Sequence, residues 1–365
     1  MKQTQAFLST YTADVSGVCS ALFELGGMTV MHDASGCNST YNTHDEPRWY
    51  DMDSLVFISG LSELEAVLGD DEKLIEDTVR AAKELSPRFI ALAGTPIPMI
   101  TGCDLAAIAR EIERRAGISS FFVPSNGIGS YVSGAGQALR LYAERFVLPA
   151  RETKKNAVNI LGATPLDFSV NGQVQSTERR LTEGGFSVQS IWAMGSDVSA
   201  IDRAGEAEVN LVVSSVGLPA ANFLRERFGT PYVVGAPLGD TVSKLLLDAL
   251  QNSIRTGENE IFPAGMPDAP DTVILGESVA SRSLAAALLL DYGICAEAIC
   301  PVELPRELEG PFCRQIEDEQ DLQAALSGAK RVIADPLYSP IVPQGAQFFP
   351  LPHEAYSGRI YRRQI

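Results

Sequence analysis

The chain has 365 residues, of which 29 are Lys or Arg and 46 are Asp or Glu, giving a formal net charge of −17 at pH 7. That balance excludes a protein that grips nucleic acid through its phosphates, because such a grip needs a dense cationic face. With 45% apolar residues, 31 Gly and 21 Pro and a mean hydropathy near zero, the composition is that of a folded globular chain and excludes disorder and collagen-like structure. At roughly 100–200 residues per domain the length predicts two or three domains.

The amino terminus has no apolar stretch of signal-peptide length, and the longest greasy run, at 285–290, is interrupted by Asp291. No membrane span and a cytoplasmic location are therefore expected. A helix around Cys19 leads into the first of twelve short apolar runs, which fall into three sets of four. The first set begins at Met28, Leu55, Phe89 and Ser120, the second at Ala157, Phe186, Val209 and Pro231, and the third at Thr272, Ala296, Arg331 and Gln347. Continuous apolar runs alternating with helical stretches such as 72–85, 105–115 and 242–254 are the pattern of buried parallel strands joined by crossover helices. The expected fold class is α/β, with three Rossmann-like domains, each a four-stranded, mainly parallel sheet flanked by helices. A polar, basic stretch at 150–156 and a Pro-rich one at 262–271 mark the joints. The expected domains are 1–152, 153–267 and 268–365.

In open parallel sheets ligands gather beyond the carboxyl ends of the strands. The first apolar run passes into a loop that carries His32, Asp33, Ser35, Cys37, Asn38, His44 and Asp45, including two of the chain's three histidines. Gly36 lets the backbone approach a bulky ligand, which suits a Cys37 thiolate holding an iron–sulfur cluster. The other reading makes Cys37 a small buried thiol with the histidines bonded to the loop. Cys103 follows the third apolar run at the start of a helix, with Asp104 as its cap, where the helix dipole favours a thiolate. Cys19 shares its helix with Val18, Leu22 and Leu25 and reads as core or as ligand. Cys295, Cys300 and Cys313 read as core fillers or exposed thiols. Six cysteines without a Cys-x-x-Cys pair argue against a disulfide framework, a zinc ribbon or a ferredoxin run. Near the carboxyl end His353, Glu354, Tyr356, Ser357 and Arg359 form a segment able to meet a ligand or to cap the third domain. A phosphate loop, a dinucleotide glycine motif, a Gly-x-Ser-x-Gly elbow and a His-Glu-x-x-His pair are all absent from the sequence, which removes support for standard hydrolases and nicotinamide enzymes.

An ordered string of motifs resembles the nitrogenase component 1 superfamily: the molybdenum-iron protein α and β subunits, their cofactor-scaffold relatives and the nitrogenase-like reductases of tetrapyrrole biosynthesis. It comprises GVCSALFELGGMTVMHDASGC at 17–37, HDEP at 44–47, DSLVFISG at 53–60, the strand after Pro87, Thr95, and GCDLAAI at 102–108. Three successive αβ domains are also how that family is built. The resemblance implies an oxidoreductase subunit holding an iron–sulfur cluster, 4Fe–4S or larger, where two chains meet. Cys37 matches the central cluster cysteine, and Cys19 and Cys103 are expected to converge with it as metal ligands, although both lie more than a helical turn from the usual ligand positions. Asp14 lies where a carboxylate replaces a cysteine in some tetrapyrrole-reducing relatives. PHEAYSG at 352–358 is similar to the segment whose histidine binds the family's large active-site cofactor, one residue shorter here. That implies His353 and Tyr356 as proton donors at a further metal cofactor, although 153–267 contains no cysteine to share in holding it. The implied partners are an ATP-hydrolysing iron protein and a second subunit, in a homodimer or a heterodimer with a paralogue. The substrate is unspecified. The alternatives are a scaffold on which a metal cofactor is assembled without turnover, and a cluster-free binding protein of the same build.

Overall fold

A computed structural model describes residue 8 and residues 11–34, 36, 38, 41, 45–195, 197–263, 270–311 and 313–361. Three parallel sheets follow one another along the chain. The first contains β1 (Met28–His32), β2 (Leu55–Ile58), β3 (Ile90–Gly94) and β4 (Ser120–Val123), in the order β2-β1-β3-β4. The second contains β5 (Lys154–Leu161), β6 (Ser187–Ile191), β7 (Ala207–Val212), β8 (Tyr232–Val234) and β9 (Glu260–Ile261), in the order β6-β5-β7-β8-β9. The third contains β10 (Thr272–Leu275), β11 (Ala296–Cys300), β12 (Cys313–Gln315), β13 (Arg331–Ala334) and β14 (Gln347–Pro350), in the order β12-β11-β10-β13-β14.

Every residue of β1 and β3 is buried, as expected of parallel strands covered on both faces. The second and third sheets each carry a fifth strand that the expectation of four omitted. Neither addition has an apolar run to betray it: β9 has two residues and β12 is a three-residue edge with Arg314 exposed. Cys313, read from the sequence as a core filler or an exposed thiol, is buried on that edge strand.

Each sheet starts in its interior and sends its second strand to one side; the first two sheets return their third strand to the other side, and the third adds β12 beyond β11 before β13 returns. The winding therefore reverses between β1 and β3, between β5 and β7, and between β10 and β13. Loops diverge at such points and leave a crevice outside the carboxyl ends of the strands.

The helices that position the site are α1 (Asp14–Leu22), α2 (Glu63–Leu68), α3 (Glu72–Leu85), α4 (Pro96–Thr101), α5 (Leu105–Ala116), α6 (Tyr131–Phe146) and α7 (Pro165–Phe168). α1 is buried along its whole length, and it crosses α6 at glycine contacts. A β-carbon on Gly134 would collide with the backbone of Asp14, and one on Gly17 with the backbone of Tyr131. The largest apolar core contains residues from α1, α6 and all three sheets, so the lobes share one interior. Inside it Arg48, 3% exposed, donates to Glu46, Glu24, Ser20 O and Ala193 O, which fastens the loop after β1 to the second lobe. Among the described residues no helix is long and apolar enough to cross a membrane.

Candidate functional site

Side chains from all three lobes meet in one buried polar cluster. Asp167, in the α7 turn after β5, accepts hydrogen bonds from Tyr131 Oη at 2.5 Å and Ser214 Oγ at 2.5 Å. Tyr131 opens α6 of the first lobe, and Ser214 follows β7 across the reversal from Asp167. The third lobe contributes His353, whose Nε2 stands 3.3 Å from Asp167 Oδ1, at ion-pair distance. Neither His353 ring nitrogen has a hydrogen-bond partner among the described residues. The ring is stacked on Tyr356 at 4.4 Å between centroids, and the backbone N–H of His353 donates to Asp335 Oδ2 at 2.7 Å. Asp335 follows β13 and also accepts from Ser357 Oγ at 2.7 Å. Glu277, after β10, reaches back to the second lobe and accepts from Ser215 N at 2.9 Å.

Burial shapes the acid–base character of this cluster. The phenols of Tyr131 and Tyr356 are pushed well above the ordinary tyrosine range by desolvation, reinforced for Tyr131 by the neighbouring Asp167 carboxylate. Glu277 is raised by the same desolvation and by Asp167. Neutral phenols beside a carboxylate serve as hydrogen-bond donors. The Tyr356 hydroxyl is buried without a partner among the described residues. A surface groove of about 510 Å³ between the first two lobes includes Ser169 in its lining, and Ser169 Oγ donates to Glu354 Oε1, beside His353, at 2.9 Å.

Of the residues singled out in the sequence, His353 and Tyr356 come together in this cluster. Tyr131, Asp167, Ser214, Asp335 and Glu277 were not anticipated. Asp167, Ser214, Glu277 and Asp335 each lie just beyond a strand at a winding reversal, so strand-end position was the signal that marked them.

The expected convergence of Cys19 with Cys103 is not found, and the pleat of the first sheet is the reason. Cys19 is fully buried on α1 in the core that contains Ala91 and Ala93. Cys103 packs against the core that contains Ile90 and Leu92. Successive residues of β3 point to opposite faces, so the two thiols lie on opposite sides of the sheet. Burial pushes the Cys19 thiol up, and Glu46 and Asp45 add to the shift. Cys103 instead joins His32 and Asp71, with one ligand atom from each lying within 4.8 Å of the others. Cys37 lies outside the described residues. Gly36 is exposed, and a β-carbon there would meet nothing within 4 Å. The Asp14 carboxylate accepts from Asn126 N at 2.9 Å and Gly127 N at 2.8 Å, so both of its oxygens are already engaged within the chain. Among the described residues, then, the thiolate set that a cubane requires is not assembled. Cys300 and Cys313 are buried and Cys295 is partly exposed, all three as free thiols.

A family model described as "Nitrogenase component 1 type Oxidoreductase" matches residues 16–274. A light-independent protochlorophyllide reductase subunit of Chlorella vulgaris is 31% identical over 201 residues, which is 51% of this chain and 37% of that protein. Its counterpart in Nostoc punctiforme is 26% identical over 203 residues, 53% of this chain and 40% of that protein. The matched stretch is thus about two fifths of these relatives' length. The solved structure of nitrogenase Cp1 at pH 5 superposes with a TM-score of 0.68 at 15% identity, over 99% of this chain and 86% of that one, a likeness of fold.

Proposed function

Because the chain belongs to the nitrogenase component 1 type oxidoreductases, a family whose model covers more than half of it, we propose that it is a catalytic subunit whose interlobe cluster supplies protons to a substrate reduced there. Electrons come from a separate ATP-hydrolysing iron protein. The observation that carries the reading is the convergence of Tyr131, Asp167 and His353 from three different lobes.

Each residue has a task in this scheme. The Asp167 carboxylate pairs with the His353 ring when that ring carries its second proton, because opposite charges a few ångströms apart attract strongly in a buried setting. Tyr131 and Ser214 orient that carboxylate through their hydroxyls. Asp335 holds the His353 backbone, and Tyr356 fixes the ring plane by stacking. His353 then keeps Nε2 toward Asp167 and presents Nδ1, which donates a proton as the substrate accepts electrons.

An iron–sulfur cluster, where bound, supplies one-electron transfer. We assign Cys37 as this chain's thiolate for it and a paralogous subunit as the source of the remaining ligands, since the described residues supply no thiolate set. The family's scaffold role is the alternative reading, in which the same fold holds metal without turnover.

Anoxic purification with a paralogous subunit, followed by iron and sulfide analysis and electron paramagnetic resonance, tests the cluster. Expected are bound iron and its loss on Cys37→Ser, and unchanged iron in that variant rejects the ligand assignment. Adding an iron protein, ATP and a tetrapyrrole such as protochlorophyllide then tests catalysis. ATP-dependent reduction supports the catalytic reading, whereas stable iron binding with no turnover of tetrapyrrole or other reducible probes supports the scaffold.

A further inference from the structure

We propose that His32, Asp71 and Cys103 form a mononuclear site for a divalent transition ion of the zinc or ferrous type, separate from the interlobe cluster and independent of the catalytic reading above. His32 ends β1, Asp71 precedes α3, and Cys103 lies between α4 and α5, so three segments distant in sequence each deliver one side chain. The three ligand atoms lie within 4.8 Å of one another, and Cys103 Sγ is 3.6 Å from Asp71 Oδ1. Metal–ligand bonds of about 2.0–2.3 Å place ligand atoms about 3.3–3.8 Å apart, so side-chain rotation of about an ångström closes the site.

Two details show side chains aimed at this point rather than used elsewhere. Asp71 occupies the N-cap position of α3, yet its carboxylate makes no capping bond. Asp70 Oδ1 instead accepts from Glu72 N at 3.2 Å. His32 is 4% exposed, and its Nδ1 lies 2.8 Å from Ser59 Oγ. Ser59 Oγ also stands 3.2 Å from Asp33 O as a donor, so it can take a proton from His32 Nδ1. In that tautomer Nε2 keeps its lone pair, the arrangement found when an imidazole ligand is oriented by a hydrogen bond from its other nitrogen. The His32 carbonyl is held by Thr95 Oγ1 at 2.8 Å. Gly102 ends α4 with φ +76°, a left-handed turn that glycine takes without strain and that delivers Cys103 to the site.

The donor set selects the ion. Imidazole, carboxylate and thiolate suit zinc and ferrous iron, whereas magnesium and calcium take oxygen ligands. One thiolate and one carboxylate balance a doubly charged ion. A single cysteine is too few for a sulfide cluster, and three protein ligands leave a fourth position for water. Cys103 also lines a surface depression of about 410 Å³, which gives the ion a path from solvent. On binding, the Cys103 S–H proton passes to water and a sulfur–metal bond forms.

The test uses Co²⁺ as the probe on the full chain after chelator treatment. Expected is a thiolate-to-cobalt charge-transfer band that saturates at one equivalent and is bleached by Zn²⁺. Cys103→Ser abolishes that band, and Asp71→Asn and His32→Gln weaken Co²⁺ binding at least tenfold. Should His32→Gln fail to fold, Asp71→Asn, changed at a partly exposed helix start, still decides. Absence of the band, its persistence in Cys103→Ser, or its loss in Cys37→Ser overturns the site.

Discussion

Asp167 is held by two hydroxyl donors and faces one imidazole, so its negative charge and not its size is what the cluster uses. Asp167→Asn keeps the shape, removes the charge and sets an amide N–H₂ against one of the two hydroxyls. A lost buried hydrogen bond costs about 1–3 kcal/mol, and loss of a positioned acid–base group costs on the order of 100-fold in rate. ATP-dependent turnover of the reconstituted complex is expected to fall by about that factor while iron content and far-UV circular dichroism stay unchanged. A full rate in this variant would remove the His353–Asp167 pair from proton handling. His353 was visible in the sequence because a histidine among Tyr, Ser and Arg near a strand end is conspicuous. Asp167 was not singled out, since one aspartate among 46 acidic residues shares its place beyond an apolar run with many others until the fold sets it opposite Tyr131.

The crossing of α1 and α6 shows how one element fixes a site that it does not contain. α6 begins at Tyr131, whose hydroxyl reaches Asp167, and its height against α1 is set where Gly17 and Gly134 let the two backbones touch. Gly134→Ala pushes a methyl group into the Asp14 backbone. Overpacking of a close-packed interior costs about 1–3 kcal/mol, which outweighs the modest gain in helix propensity from replacing glycine. A fall in thermal midpoint, with weaker iron retention by the assembled subunits, is the expected result. An unchanged midpoint would mean that the helices separate freely. The same crossing accounts for Cys19. Its helix is legible in the sequence, but the whole of α1 is buried, so the apolar stripe of Val18 and Leu22 did not distinguish a core thiol from a ligand. Its membership in the core on one side of the first sheet decided the matter.

Across the molecule, one interior links the three lobes, and it is lined with tyrosines. Tyr11 is pushed up to about 12 by burial, and Tyr41, Tyr131, Tyr338 and Tyr356 are raised well above 10 for the same reason. An unfolded tyrosine releases its proton near pH 10, whereas these keep theirs. Their contribution is therefore complete below about pH 10 and declines as pH rises through the folded values, by about 1.4 kcal/mol for each pH unit that separates the folded from the unfolded value. A cooperative unfolding above about pH 10 is expected, with tyrosinate absorbance rising together with the loss of circular dichroism. Tyr50 and Tyr292 are exposed and lie outside this set, so ionisation of these five phenols while the circular dichroism persists is what would contradict their burial. The acidic balance of −17 adds self-repulsion in the same direction.

The twelve apolar runs and their spacing were enough to foretell an α/β chain of three parallel sheets, because a strand buried on both faces must be apolar at every position and a crossover helix must separate it from the next. The motif string likewise pointed to the family. Partnership between side chains was another matter. Whether Cys103 meets Cys19 or His32, and whether His353 meets a carboxylate, depends on which face of a pleat each residue takes and where each sheet reverses its winding. Those relations are long-range in sequence and leave no local pattern, so they emerged only when the lobes were packed together.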